Sequence, residues 1–202
     1  MLRSALLSIA CIVANCTPAA QATMPGTNEP TPYLVDNNTI ARIDCGKWMG
    51  TGSYIGGGLV VTARHVVSSG RCTVDLAKAE IIEPTANAGL DFAVLKIKND
   101  VGFRQLIDCS GIHEGRMYLA TGYAEDAPRT VTQRLIGSSS ISHDKGFSGL
   151  SVMRGSITQG MSGGPVNDAE TGALVAIINA NSGDGITQSL VLPLSKTSLC
   201  HD

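Results

Sequence analysis

The chain has 202 residues, with 15 Lys and Arg against 17 Asp and Glu, so its net charge is −2 when His is neutral. A chain of this length can form one compact domain or two small barrels that share an interface. The weak net charge, without any block of Lys or Arg, points away from nucleic acid and from an anionic membrane as partners. With 23 glycines and only 4% aromatic residues, the composition suits a β-rich protein with many turns better than a helical bundle or a disordered chain.

Residues 1–22 have the pattern of a signal peptide. Arg3 supplies a positive start, residues 5–14 are apolar, and a small-x-small cleavage pattern ends at Ala22. About ten apolar residues are too few to span a bilayer as a stable anchor. We therefore predict a secreted or periplasmic protein. Lipid attachment at Cys16 is the alternative, although Val-Ala-Asn is a poor context before a lipidated cysteine.

Four cysteines remain once the predicted signal peptide is removed: Cys45, Cys72, Cys109 and Cys200. In an oxidising compartment they predict two disulfides, for which three pairings exist. No Cys-x-x-Cys pair is present, so a structural zinc site is not indicated. Because Cys45 and Cys72 bracket His65, we favour that pair, which leaves Cys109 with Cys200.

After a polar arm over residues 23–32, which contains three prolines, the chain consists of short apolar and β-branched runs separated by turn residues. Ten such runs are predicted strands: residues 40–45, 50–55, 58–63, 72–76, 91–97, 116–123, 130–136, 149–153, 173–179 and 188–194. Short helical turns are expected after His65 and near the C-terminus. Without a convincing amphipathic helix, the pattern predicts an all-β sandwich or a pair of barrels. A composition break at 110–116 is the candidate boundary between two halves.

The stretch GMSGGPV, residues 160–166, raises the question of whether Ser162 belongs to a turn or attacks a substrate. Ser, Gly and Pro are ordinary turn residues. A serine hydroxyl becomes a nucleophile only with a base and with an acid that orients the base. His65 stands where the apolar run VVTARHVV turns, and Asp91 opens the alternating run DFAVLKI. Each of the three residues, taken alone, has a structural explanation.

Taken together and in order, the three stretches resemble the chymotrypsin-like serine peptidases. That family has Thr-Ala-x-His after a strand, then Asp-x-Ala-x-Leu, then Gly-x-Ser-Gly-Gly-Pro, and this chain has TARH, DFAVL and GMSGGP. The spacing is similar to that of the compact bacterial branch that includes the HtrA-type peptidases, and the resemblance covers roughly residues 40–195. It implies two packed six-stranded antiparallel Greek-key β-barrels, in 33–112 and in 113–202, the second carrying Ser162.

The resemblance also implies the roles of these residues in a serine endopeptidase. Ser162 would attack the peptide carbonyl and form an acyl-enzyme, His65 would move the proton, and Asp91 would orient the imidazole. The N–H groups of Gly160 and Ser162 would form the oxyanion hole. A polypeptide is the implied substrate, and neither a metal nor a cofactor is implied. A protein inhibitor is a second possible partner. The sequence does not indicate the oligomeric state.

Two departures from the family carry expectations. Trypsin-like zymogens have an Asp directly before the nucleophile, which pairs with a newly cut N-terminus, whereas this chain has Met161. We therefore expect no proteolytic switch of that type. Because the sequence ends at Asp202, soon after the last predicted strand, we also expect no peptide-binding PDZ domain.

The resemblance places four residues at the substrate pocket. Ser156 stands at the pocket floor instead of an acid, and Ile178 stands where glutamate-specific relatives have His. Asn181 falls near a position where Gly usually leaves the pocket open. The main chain of Asn179 to Asn181 would pair with the substrate as an added strand. We therefore expect a preference for small or medium uncharged side chains.

Two other functions remain open from the sequence. GMSGG also fits the Gly-x-Ser-x-Gly elbow of α/β-hydrolase esterases, with His201 as base and Asp168 or Asp184 as acid. That fold needs a helix after the serine and repeated βα units, and neither is indicated here. The second alternative is a trypsin-fold binding protein that is latent or has lost catalysis, although no member of the predicted triad is replaced.

Overall fold

The computed structural model describes residues 34–83, 89–125, 127, 129–142, 148–181 and 187–201. The predicted signal peptide and the arm lie outside these residues. Within them, twelve strands form two closed antiparallel barrels of six strands each. This confirms the predicted all-β, trypsin-like fold. Both barrels belong to a single compact unit.

The first barrel contains the strands that lead to His65 and Asp91. Its strands are β1 (Ile40–Asp44), β2 (Met49–Gly56), β3 (Leu59–Thr62), β4 (Cys72–Val74), β5 (Ala77–Glu83) and β6 (Ala93–Ile97). They close in the order β1-β2-β3-β6-β5-β4. A short 3-10 helix, Arg64–Val67, follows β3, so the helical turn predicted after His65 begins one residue before it.

The second barrel carries the loop that contains Ser162. Its strands are β7 (Met117–Tyr123), β8 (Thr130–Ser142), β9 (Leu150–Arg154), β10 (Pro165–Asp168), β11 (Leu174–Asn181) and β12 (Gln188–Pro193). They close in the order β10-β11-β12-β9-β8-β7. Two 3-10 helices, Leu194–Lys196 and Ser198–Cys200, follow β12. The predicted boundary at 110–116 falls in the segment between β6 and β7.

Two strands were not expected from the sequence, and each has an identifiable reason. The predicted strand 72–76 ends instead at Val74, because Asp75 and Leu76 form a tight turn with φ of 46° and 71°. Such φ values usually require Gly or Asn, so the turn into β5 gave no signal. The other strand, β10, begins with Pro and contains Asn167 and Asp168, which read as loop residues although both are buried.

The hydrophobic core joins the two barrels. One cluster of buried side chains contains Phe92 and Leu95 of the first barrel together with Leu150, Ile177 and Leu190 of the second. A second cluster fills the interior of the second barrel and includes the fully buried Met161. The site between the barrels is therefore built on an apolar interface that is continuous with the first barrel's core.

Disulfides join Cys45 to Cys72 and Cys109 to Cys200, the pairing that the sequence analysis favoured. The first bond joins the β1–β2 hairpin to the start of β4 and closes a loop of the chain that contains His65. The second holds the segment between the barrels against the C-terminal 3-10 helix. In the part of the chain that the structure describes, no helix is long and apolar enough to cross a membrane.

The esterase alternative is wrong, because its fold is absent. Ser162 is followed by β10 rather than by a helix, and the described strands pair antiparallel with one another where an α/β-hydrolase has a mostly parallel sheet. Asp168, one of its two candidate acids, is held by Arg116. The other, Asp184, lies outside the described residues.

Candidate active site

His65 and Asp91 are held together by two contacts. The main-chain N–H of His65 donates to Oδ1 of Asp91 at 2.8 Å, and Nδ1 of the imidazole lies 2.5 Å from Oδ2. Asp91 is fully buried, whereas about a third of the His65 side chain is exposed. An ionised carboxylate only accepts hydrogen bonds. The proton of the neutral imidazole therefore lies on Nδ1, and Nε2 carries the free lone pair.

The local fold explains this approach. The 3-10 turn after β3 places His65 at the rim of the first barrel, with its N–H unpaired within the helix. Asp91 stands two residues before β6, which pairs with β3 from Thr62↔Ala93 onward. The two residues therefore leave the same end of neighbouring strands, and the carboxylate reaches both N–H groups of His65.

Asn179 connects Asp91 to the second barrel. Its side-chain amide donates a hydrogen bond to Oδ2 of Asp91, the same oxygen that faces the imidazole. Asn179 lies in β11 and is 1% exposed. Its main-chain oxygen accepts a hydrogen bond from the hydroxyl of Ser162 at 3.1 Å. One residue thus contacts both the buried carboxylate and the serine.

Ser162 lies on a tight loop that depends on glycine. Gly160 has a φ of +91°, and a Cβ there would lie 2.5 Å from the carbonyl oxygen of Tyr123. Gly163 has a φ of +83°, and a Cβ there would collide with the hydroxyl of Thr62 and the carbonyl of Thr51. Only glycine adopts these conformations at low cost. The loop therefore packs directly on the main chain of both barrels.

His65 and Ser162 face the same cavity, which has a volume of about 360 Å³. Its lining consists of His65, Ile157, Thr158, Gln159, Ser162, Asn179, Ala180 and Asn181. In this structure the hydroxyl of Ser162 donates to Asn179 rather than to His65. Catalytic hydrogen bonds are often loose or misaligned before substrate binds.

Of the four residues expected at a substrate pocket, the structure brings two to the cavity. Asn179 and Asn181 line it, whereas Ser156 is exposed outside the lining and Ile178 is buried in the interior of the second barrel. Ser156 follows β9, and Ile178 lies in β11 with its side chain in the barrel interior. The roles of Ser156 and Ile178 in substrate preference stay predictions.

Asn181 is bound across the cavity to Ile157. Its Nδ2 donates to the carbonyl of Ile157 at 2.9 Å, and its Oδ1 accepts from the N–H of Ile157 at 3.2 Å. The amide side chain satisfies both main-chain groups of one residue, as a neighbouring strand would. The resulting bridge closes one side of the cavity.

Sequence reasoning missed one residue at the site and part of the role of another. It placed Asn179 only against the substrate main chain, whereas the side chain binds Asp91. It did not select Thr51, whose N–H donates to the Ser162 carbonyl at 2.9 Å. The Gly-Thr-Gly stretch in β2 was the available signal for Thr51, since a buried threonine between glycines needs a hydrogen-bond partner.

No metal site is apparent among the described residues, since no three side chains of His, Cys, Asp or Glu come close enough together to hold an ion. The chemistry available at the cavity comes from a hydroxyl, an imidazole held by a carboxylate, and the main-chain N–H groups of the loop.

A family profile described as "Trypsin-like peptidase domain" matches residues 50–177, a range that contains His65, Asp91 and Ser162. The match covers well over half of the chain. The chain belongs to the trypsin-like peptidases. Membership in this family places it among the serine endopeptidases, which are hydrolases.

Solved structures agree in fold. The chain is similar to Rv3671c from M. tuberculosis H37Rv, in the inactive form of its Ser343Ala mutant, with a TM-score of 0.66, 18% identity, and coverage of 82% of this chain and 85% of that one. It is also similar to a serine endoprotease from Yersinia pestis, with a TM-score of 0.66, 19% identity, and coverage of 82% and 64%. A third similar structure is the HtrA-type protease AlgW with tripeptide, with a TM-score of 0.66, 22% identity, and coverage of 82% and 58%. No curated protein matches the sequence.

Proposed function

We propose that this trypsin-like peptidase is exported and hydrolyses peptide bonds through a triad of His65, Asp91 and Ser162. The observation that carries the proposal is the double contact of the buried Asp91 with the main chain and the ring of His65, on the wall of the cavity that Ser162 also lines. A buried carboxylate that fixes an imidazole beside a serine is the arrangement required for general-base activation of a hydroxyl.

The first half of the reaction forms the acyl-enzyme. Rotation about χ1 carries the hydroxyl of Ser162 from the Asn179 carbonyl to Nε2 of His65. As Oγ bonds to the substrate carbonyl carbon, Nε2 takes the hydroxyl proton, and Asp91 stabilises the imidazolium without being protonated. Nε2 then gives this proton to the departing amine as the C–N bond breaks. In the second half, Nε2 of His65 takes a proton from a water molecule as the water oxygen bonds to the acyl carbon. The proton then passes to Oγ as the ester bond breaks, which releases the acid and restores Ser162.

The N–H groups of Gly160 and Ser162 are the proposed oxyanion donors. Among the described residues, neither group has a hydrogen-bond acceptor. The carbonyl of Gln159 accepts from the N–H of Glu125 at 2.9 Å, and because a trans peptide points its C=O and N–H in opposite directions, the N–H of Gly160 faces away from Glu125. Loss of one such donor typically costs about 10²–10³ in rate.

The proposed side-chain preference is for small or medium uncharged residues on the acyl side of the cleaved bond. The bridge between Asn181 and Ile157 narrows the cavity, and none of the described residues that line it is acidic. Among these residues a long basic side chain would find no buried counter-charge, and burial of an unpaired charge is costly. The main chain at Asn179 to Asn181, at the end of β11, would bind the substrate as an added strand.

Export is supported by the two disulfides, which persist in oxidising compartments. Synthesis of the full coding sequence in a bacterium that exports the protein, followed by N-terminal sequencing of the product, tests the predicted cleavage after Ala22. A product that retains residues 1–22 would contradict the signal peptide.

The direct test of the triad is the reaction of the exported protein with a fluorophosphonate. Oγ of Ser162 should form a bond to phosphorus with release of fluoride, and mass spectrometry should place the label on Ser162. Ser162→Ala should abolish labelling and cleavage of a mixed peptide library. Ser156→Ala, which removes an exposed serine outside the cavity, should leave both unchanged.

The Ser162 hydroxyl bound to Asn179 favours a second candidate, a latent or catalytically inactive trypsin-fold binding protein. A folded wild-type protein that neither reacts with the fluorophosphonate nor cleaves the library would support that function and overturn the first.

A further inference from the structure

The loop that carries Ser162 is held by four consecutive main-chain carbonyl groups. The oxygens of Gln159, Gly160, Met161 and Ser162 accept hydrogen bonds from Glu125 N–H, Thr51 Oγ1, Gly164 N–H and Thr51 N–H, at 2.9, 3.0, 2.9 and 2.9 Å. Thr51 thus supplies two of the four donors. It does so from β2 of the first barrel, whereas the loop belongs to the second.

The hydroxyl of Thr51 is itself fully used. It donates to the carbonyl of Gly160 and accepts from the N–H of Tyr123 at 2.9 Å. Thr51 is 0% exposed, and its Oγ1 lies close enough to Gly122 that a Cβ there would come within 2.9 Å of it. Its carbonyl also accepts from the hydroxyl of Thr62 at 2.7 Å. The threonine therefore has no freedom to turn away from the loop.

Fixed carbonyl groups determine where the N–H groups point, because each peptide plane is rigid. The N–H groups of Met161 and Gly163 are bound inside the protein, to the carbonyls of Thr158 and Ile178. Among the described residues, the N–H groups of Gly160 and Ser162 have no acceptor, so they remain available to a ligand. Removal of the hydroxyl of Thr51 would free the carbonyl of Gly160. The peptide plane between Gly160 and Met161 lies between the two planes that carry the N–H groups of Gly160 and Ser162, so its rotation would misalign both proposed donors.

We infer that Thr51 is a positioning residue for the oxyanion hole: its side-chain hydroxyl and main-chain N–H clamp the nucleophile loop from the opposite barrel. This inference rests on the proposed peptidase function. Met161 cannot form an ion pair with a newly cut N-terminus. In place of such a pair, neutral hydrogen bonds from Thr51 and the buried side chain of Met161 hold the loop.

Three variants of the full exported protein test the clamp. Thr51→Val keeps the shape and burial but removes the hydroxyl, and Thr51→Ser keeps the hydroxyl. Ser53→Ala is the matched control, because Ser53 lies two residues away in β2, is equally buried, and its Oγ has no partner among the described residues. Thermal unfolding of each variant identifies any that fails to fold.

A change in the alignment of the donors acts on the transition state more than on substrate binding, and misplacement of about 1 Å can cost on the order of 100-fold in rate. For a peptide selected from the library, Thr51→Val should therefore lower kcat by about 10- to 100-fold with KM within about 3-fold. Thr51→Ser should stay within about 5-fold of wild type, and Ser53→Ala should match wild type. A kcat for Thr51→Val equal to that of Ser53→Ala would overturn the inference, as would a loss that Thr51→Ser shares in full.

Amide hydrogen exchange separates this result from the fate of the proposed function. Thr51→Val should speed exchange at the N–H of Tyr123 by about 10-fold or more and should also raise the exchange rates of the N–H groups in residues 159–162. Ser53→Ala should leave these rates unchanged. If the wild-type protein cleaves nothing, the peptidase proposal fails, and this measurement alone decides the clamp. Unchanged exchange in Thr51→Val would then refute it.

Discussion

The side-chain amide of Asn179 donates to the carboxylate oxygen of Asp91 that faces the imidazole of His65. Asp91 lies before β6 in the first barrel and Asn179 lies in β11 of the second, so the contact spans the interface. The amide gives the buried carboxylate a third donor, after the two from His65. Because the main-chain oxygen of Asn179 also accepts a hydrogen bond from Ser162, this residue contacts both Asp91 and Ser162.

Substitution of Asn179 should therefore reduce turnover more than substrate affinity. Asn179→Ala removes the donor and should lower kcat on the order of 10-fold, because Asp91 and the imidazole lose part of their alignment. Asn179→Asp places a second carboxylate against Asp91, and repulsion of like charges should make the loss larger. Steady-state kinetics on one peptide compare the two variants. Equal kcat values for Asn179→Asp and wild type would contradict a contact between these side chains in solution.

Asn181 should limit the size of the accepted side chain. Asn181→Gly removes the bridge to Ile157 and opens the cavity, so kcat/KM for leucine or phenylalanine should rise by about 10-fold or more relative to alanine, since one or two methylene groups in a pocket are worth this much. Profiling of cleavage sites in a peptide library measures the change.

Ser156→Asp provides the complementary test of the pocket. Because Ser156 is exposed and does not line the cavity, a new carboxylate there should not create a preference for lysine or arginine. A strong basic preference in this variant would show that the side chain does reach the bound substrate.

The ion pair of Asp168 with Arg116 should make stability depend on acid pH. Burial of the Asp168 carboxyl opposes ionisation, but the main-chain N–H of Thr171 and the guanidinium of Arg116 outweigh it, and the net effect lowers the pKa of Asp168. A carboxyl with a lowered folded-state pKa contributes stability above its unfolded-state value, and this contribution is lost as the pH falls through the folded-state value. The effect is a loss in acid, not in base.

Asp168→Asn should accordingly lower the free energy of unfolding near pH 7 by about 1–2 kcal/mol, less than the cost of breaking a fully buried pair, because about a third of the Arg116 side chain is exposed and it keeps its contact with Glu170. The difference from wild type should shrink as the pH falls toward about 2. Urea unfolding over this pH series measures it. Glu170→Gln serves as the control, because Glu170 contacts the same arginine from an exposed position and should change stability by less than about 1 kcal/mol. A difference that grows in acid would contradict the sign of the Asp168 effect.

The two disulfides should differ in their contribution to stability. Cys109 and Cys200 are separated by 91 residues and Cys45 and Cys72 by 27. Loop-closure entropy in the unfolded chain predicts about 4.5 kcal/mol for the longer loop and about 3.5 kcal/mol for the shorter one. Denaturant unfolding of the two paired Cys→Ala variants compares them. A larger loss for the Cys45 and Cys72 pair would mean that native contacts around His65, rather than chain entropy, dominate.

The sequence predicted the class of fold and ten of the twelve strands found in the described residues, because alternating or continuous apolar runs such as DFAVLKI are typical of barrel strands. It failed where the local signal contradicts the tertiary role. The turn at Asp75 and Leu76 lacks glycine, so the sequence predicts that the strand continues to Leu76, whereas that side chain is 94% exposed at the turn. Asn167 looks like a loop residue because its partner, Gln105, is distant in the chain.

The candidate site was predictable only in part, for a related reason. His65, Asp91 and Ser162 lie in short motifs, and the order and spacing of these motifs can be seen in the sequence itself. The roles of Asn179 and Thr51 depend on which atoms meet across the interface between the barrels. The Gly-Thr-Gly stretch indicates that Thr51 needs a hydrogen-bond partner, but it does not indicate which one. The side chains of Ser156, which follows β9, and of Ile178, which lies in β11, do not line the cavity, and an alignment to the family gives a position along the chain but not the face on which a side chain lies.

The continuous core has a consequence for how the molecule loses its structure. Because Phe92 and Leu95 pack in one cluster with Leu150, Ile177 and Leu190, separation of the barrels would expose large apolar surfaces on both. Melting should therefore be a single all-or-none transition, with calorimetric and van't Hoff enthalpies that agree. The first barrel contributes the imidazole and the second the hydroxyl. The site would therefore be lost as a whole if either barrel unfolded.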